Sequence, residues 1–164
     1  MLNFLSRTPV LIGSFIGMVL IGNSLGMVGP KIGGRMLDLI MNTPDALARL
    51  AAMSDAQKRT HMLATLSLDS LFPLFNFAFL AGIAARLAGA WRRWAILPAL
   101  IYMVFDFAEN SLEVFALNGA ENIMPVKTVL TLIKFTSFSL ASVLALGLIV
   151  WALARWARRK WQKP

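Results

Sequence analysis

Cysteine is absent from this chain. That excludes disulfides, thiol nucleophiles and thiolate metal ligation. A single histidine, His61, supplies too few ligands for a protein-only zinc or haem centre, so neither a metal nor a cofactor is expected. Acids are also scarce, with 8 Asp and Glu against 16 Lys and Arg. In a water-soluble protein that excess would point to nucleic acid. Here the basic residues gather at the ends of apolar stretches, where anionic lipid headgroups attract them, and no nucleic-acid-binding motif is present. A water-soluble composition is missing too. Hydrophobic residues make up 58% of 164 positions, and the mean hydropathy is +0.68. Soluble domains sit nearer one half apolar, and this length suits one domain.

What is present is a set of four long apolar stretches, at about 8–29, 63–85, 94–117 and 126–154. Each is long enough to cross a bilayer as a helix. The expected fold is all-α: a four-transmembrane-helix bundle forming one integral membrane domain. The first apolar run is longer than the hydrophobic part of a signal peptide and lacks a small-x-small cleavage site, so it is read as a retained span. Pro9 sits at its first turn, Pro30 is expected to end it, and Gly13, Gly17, Gly22 and Gly26 form small-xxx-small steps suited to close helix packing. The connection 30–62 is polar and holds Thr43-Pro44-Asp45, a helix start with Thr43 as cap. Leu47, Leu50 and Met53 then fit a short amphipathic helix on the external membrane surface. Ser54 and Gln57 form a capping box opening a helix that runs on into the second span. His61 falls near the water boundary and is expected to be solvated.

Positive charge sets the topology. Arg7, then Arg86, Arg92 and Arg93, then Arg155, Arg158, Arg159, Lys160 and Lys163 mark the N-terminus, the second link and the tail. Lys127 is counted with Glu121 in the third link. By the positive-inside rule both termini face the cytoplasm. Trp91, Trp94, Trp151, Trp156 and Trp161 fit interfacial belts.

The third span, Trp94 to Leu117, is the unusual one. Tyr102, Asp106, Glu109 and Glu113 recur at steps of four, three and four, which puts them on one helix face. An ionisable residue in a span costs roughly 2.5–3.5 kcal/mol on insertion scales, so it needs a partner, a wet cavity or a proton. Each other span offers a polar group at a similar depth, about 9–12 Å from its outer end at helical rise. These are Asn23 in the first, Asp69 in the second and Lys134 in the fourth, and Asn110 shares the level of Glu109. Thr65, Asp69 and Asn76 share a face of the second span. Pro73 between them either kinks the helix for packing or frees a carbonyl to build a polar cavity. Four lone charges would cost on the order of 10 kcal/mol. A cluster of Lys134 with Glu109, Asp106 and Asp69 removes most of that. Buried ions can also serve only to fix helix register.

Two segments carry a resemblance. Asp69-Ser70-Leu71-Phe72-Pro73, within the run from Pro44 to Pro73, and Asp106-Phe107-Ala108-Glu109-Asn110 together resemble the signatures of a group of bacterial four-span membrane proteins of unknown function. The resemblance implies four helices and a bacterial inner membrane, and no activity. In that group a Tyr often follows the matching proline; here the position is Phe75 or Asn76. A fainter likeness, of architecture alone, is to the EXPERA group of sterol isomerases and the sigma-2 receptor, with embedded acids around a lipid-accessible cavity.

Three functions fit these residues. The first is binding of a lipid or another amphipathic small molecule from the outer leaflet. Its ligand-binding set is Asn23, Asp69, Asn76, Tyr102, Asp106, Glu109, Asn110 and Lys134, with Phe72, Phe75 and Phe105 against the apolar part. Asp106 and Glu109 could act as acid and base if the site catalyses a proton transfer. The second is a proton- or cation-coupled transport component, which at four helices would need a homo-oligomer. The third is an accessory or assembly subunit of a membrane complex, held by a membrane-protein partner. Membrane lipids are partners in all three.

Overall fold

The computed structural model describes residues 1–162; Lys163 of the basic tail lies outside them. The described residues form helices and connecting turns, with no strand. Four helices are long and apolar enough to cross a membrane: α1 (Thr8–Ile32), α3 (Asp55–Leu87), α4 (Gly89–Leu117) and α5 (Glu121–Trp161). The short α2 (Thr43–Ala51) lies between α1 and α3. Large apolar side chains such as Ile16, Leu20, Leu71, Val104, Val143 and Leu146 are exposed on the outside of the bundle. In water such a surface would aggregate; in lipid it is the solvated surface.

Local sequence explains most boundaries, with instructive exceptions. Pro30 does not end α1. The helix breaks at Met27 and restarts at Val28, so Pro30 falls in a first turn, where its missing N–H costs nothing. The stop is Gly33, at φ 78°, with Gly34 N–H returning to the Gly29 carbonyl at 3.0 Å. Only glycine takes that left-handed backbone without strain. The cap of α2 is Asn42, one residue before the expected Thr43; its Oδ1 accepts the Asp45 N–H at 2.9 Å. Thr43 is thereby free to reach Thr128 on α5, at 3.1 Å.

The Ser54–Gln57 capping box is present in both directions, and α3 runs unbroken into its span. A π turn occupies Thr65–Asp69, one turn before Pro73. The proline ring cannot accept a helical neighbour at the Asp69 carbonyl, and a widened turn there relieves the clash. The hydroxyl of Ser70 takes the Thr65 carbonyl at 2.8 Å. At the far end Gly89, at φ 58°, reverses the chain directly into α4.

The bundle has two ends. At one, Arg86 bonds Thr8 at 3.1 Å and Arg92 bonds Asn3 at 3.2 Å, so the N-terminus and the α3–α4 link lie together. At the other, α2 and the strap 33–42 cover the helix ends. Here the fold departs from the sequence reading. The apolar face of α2 is not turned to a membrane surface: Ala46 and Leu50 are wholly buried, in one core with Ile32, Leu37, Met53 and Met124. The protein's own helix ends offered that face a dry partner.

Candidate functional site

Beneath this cap three helices turn their ionisable faces inward. On α4, Tyr102, Asp106, Glu109 and Glu113 are all buried on one face, as their spacing predicts. On α5, Lys127, Thr131 and Lys134 repeat at steps of four and three and are buried too. On α3, His61, Thr65 and Asp69 recur at steps of four and are buried as well. The strap adds Asp38 from above.

Two ammonium groups organise the cluster. Lys134 Nζ lies 2.9 Å from Asp106 Oδ1, pairs with Glu109 Oε2, and stands 3.9 Å from Asp38 Oδ2. The other oxygen of Glu109 receives Lys127 Nζ at 2.9 Å and the Thr131 hydroxyl at 2.5 Å. Glu109 is therefore the bridge between the lysines. Lys127 also lies 3.9 Å from Glu113 Oε2 and donates to the Leu37 carbonyl. Glu113 Oε1 accepts from Thr65 at 2.9 Å and stands 3.2 Å from His61 Nδ1.

The histidine has a defined role in this arrangement. Leu37 N–H donates to His61 Nε2 at 3.0 Å. A nitrogen that accepts carries no proton, so the neutral ring holds its proton on Nδ1, facing Glu113. Both backbone groups of Leu37 are thus gripped, one by His61 on α3 and one by Lys127 on α5. This clamp holds the strap down and drives Asp38 toward Lys134. Burial pushes the Asp38 carboxyl above the usual carboxylate range, with the Lys134 ammonium pulling the other way.

A cavity of about 350 Å³ opens beside this cluster. Its polar lining is Asp38, Asp69, Tyr102, Asp106 and Lys134, with exposed Arg35 at the rim. Its apolar lining includes Phe72, Phe135 and Phe138. Gly22, Gly26 and Gly29 of α1 form one wall. The α1 glycines of the small-xxx-small steps seat side chains of α3 or leave open space. Gly17 receives the Phe75 ring, Gly22 faces the Phe72 ring, and Gly13 and Gly26 have open space where a Cβ would stand.

No family model, curated protein or solved structure matches the chain.

The structure brings together Asp69, Tyr102, Asp106, Glu109 and Lys134, all at or beside the cavity. Tyr102 packs on Phe138, ring centroids 5.1 Å apart. Asn76 and Asn110 are buried but do not line the cavity. The amide nitrogen of Asn76 donates to the Phe72 carbonyl at 3.0 Å, while neither amide atom of Asn110 has a partner. Asn23 does not join the layer. It is exposed and donates to the Val19 carbonyl of its own helix at 2.7 Å. A side-chain amide on a lipid-facing surface satisfies itself that way. Phe75 serves Gly17, and Phe105 is not in the cavity wall; Phe135 and Phe138 of α5 take those places.

Four participants carry more than their sequence signals promised. Lys127 is not a link charge but is wholly buried in α5, because Pro125 sits in the first turn and does not stop the helix. His61 is not solvated: its exposure is zero, since the strap covers it. Asp38 had no local signal at all. Glu113 stood on the predicted face, but its partner lay on another helix. The spacing of Lys127, Thr131 and Lys134, read alongside His61, Thr65 and Asp69, is the pattern that could have found them.

Proposed function

We propose that this multi-pass membrane protein binds a lipid or other amphipathic small molecule in the cavity beneath its cap. One observation carries the reading: ionisable and aromatic side chains share a single opening of ligand size. Asp38, Asp69, Asp106 and Lys134 stand at its polar end, and Phe72, Phe135 and Phe138 along its apolar side. A few convergent polar groups in an otherwise apolar pocket is the usual build of a small-molecule site. The distribution of basic residues supports a topology with both termini in the cytoplasm and the cap on the outer face. In a bacterial inner membrane, the setting implied by the Asp-x-x-Phe-Pro and Asp-x-x-Glu-Asn signatures, the ligand would then enter from the outer leaflet.

Native mass spectrometry of the detergent-extracted protein tests this reading. An amphiphile should copurify, and Asp106→Asn should lower its occupancy. If nothing copurifies, and added lipids stabilise Asp106→Asn and the parent equally, the cavity is not a binding site.

A second reading draws on the unbroken run of acid and amine from Asp106 through Lys134, Glu109 and Lys127 to Glu113 and His61. Such runs carry protons in pumps. Against it, the side chains between this run and the basic end are apolar, Phe77, Leu80, Ala99 and Ala141 among them. A proton-flux assay in proteoliposomes separates the two readings.

A further inference from the structure

Buried carboxyls outnumber buried ammonium groups in the cluster. Five carboxyl groups take part: Asp38, Asp69, Asp106, Glu109 and Glu113. Against them stand two buried ammonium groups, Lys127 and Lys134, and a histidine whose ring is held neutral by the Leu37 N–H. Three carboxyls are left over. Their placement is not uniform. Glu109 and Glu113 face the lysines and the clamp, away from the cavity lining. Asp38, Asp69 and Asp106 all line the cavity; each has one buried oxygen with no hydrogen-bond partner, as Glu113 has away from it. Asp69 and Asp106 are only 3% and 2% exposed. A buried acceptor without a donor is destabilising, more so when charged. Three carboxyls line one opening.

We infer that the occupant of the cavity is a cationic amphiphile, with an amine head among Asp38, Asp69 and Asp106 and an alkyl or ring body along Phe72, Phe135 and Phe138. This rests on the binding reading above and names its ligand class. A protonated amine offers N–H donors and positive charge to carboxyls of this lining. Among the described residues no three acid or histidine side chains are grouped as a metal ion needs. Tyr102 and the phenyl rings add faces on which an ammonium rests well. An anionic head is disfavoured: it would add charge beside three carboxyls to gain only Lys134, which is already paired with Asp106 and Glu109.

The test uses three photoreactive twelve-carbon probes that differ only in the head: amine, alcohol and carboxylate. Each carries a diazirine in the chain and is applied to the full-length protein in zwitterionic nanodiscs, with labelled residues mapped by mass spectrometry. The amine should label Phe72, Phe135 or Phe138 at least tenfold more than the alcohol, and excess unlabelled dodecylamine should compete it away. Asp69→Asn and Asp106→Asn should each remove most of that labelling. Asp38→Asn, outside the spans and least able to disturb folding, should lower it in the same direction. Equal labelling by amine and alcohol overturns the charge inference and leaves the cavity as a binding site. Preference for the carboxylate reverses it. Failure of all three probes to label cavity residues overturns both.

Discussion

The same four helices pack in two different ways along their length. Toward the basic end they meet through small side chains: Ala81, Ala99, Ala141 and Ala145 against Phe77, Leu80 and Leu5, with no ion pair among them. Gly82 lets α3 approach so closely that an added Cβ would stand 2.7 Å from the Leu5 carbonyl oxygen. Toward the cap the interior is carboxylate, ammonium and imidazole around a cavity. The apolar half demonstrates that this bundle can close without buried charge. Helix association in lipid is served well by small residues and tight packing. Buried ion pairs, by contrast, often give back no more than their desolvation costs. The ions of the cap half therefore serve something besides helix packing. Part of it is visible: Lys127 and His61 fasten the strap by the backbone of Leu37.

This contrast can be broken from either side. The largest effect belongs to Lys134→Ala, which leaves Asp106 and Glu109 buried without their shared ammonium. A loss of about 3–5 kcal/mol is expected, read as a large fall in thermal midpoint in detergent. A loss below that of an ordinary surface change would mean that the charges are not coupled to the fold.

In the other half, Gly82→Ala sharpens the comparison. Its new methyl meets the Leu11 side chain at 2.6 Å as well as the Leu5 backbone. Overpacking of that kind costs about 1–3 kcal/mol. Thermal unfolding should show it, and ligand occupancy measured on the protein that remains folded should not change. A selective loss of occupancy would mean that the halves are not independent.

The smallest effect is expected at Asn23→Ala. That side chain faces outward and bonds only its own helix, so stability should change by no more than about 0.5 kcal/mol. A larger drop would return Asn23 to the polar layer.

How much of this was readable beforehand follows the same division. The α4 face was legible because Tyr102, Asp106, Glu109 and Glu113 are set by helical period alone, and the period survives folding. Asp69 and Lys134 were legible by their depth in their spans. Depth counting failed at Asn23, because depth says nothing of rotation: the residue is at the right height on the wrong side. Lys127 was hidden by its place just after Pro125, where the chain resembles a link, and His61 by its neighbours Lys58 and Arg59. What buries both is the strap, a segment distant from each in sequence. Covering by a remote segment leaves no trace in local spacing. The amphipathic α2 was identified correctly as a helix, yet its apolar face found the protein before it found the membrane. Hydrophobic pattern states that a face will be covered and leaves open by what.

The central claim is that acids and amines from three helices act as one buried unit. A double-mutant cycle of Lys134→Ala with Glu109→Gln tests it most directly. Removing the Glu109 charge from a protein that already lacks Lys134 should cost much less than removing it from the parent, with a coupling of about 1 kcal/mol or more. Losses that add to within about 0.5 kcal/mol would show that the two side chains do not share a site, and would contradict the claim.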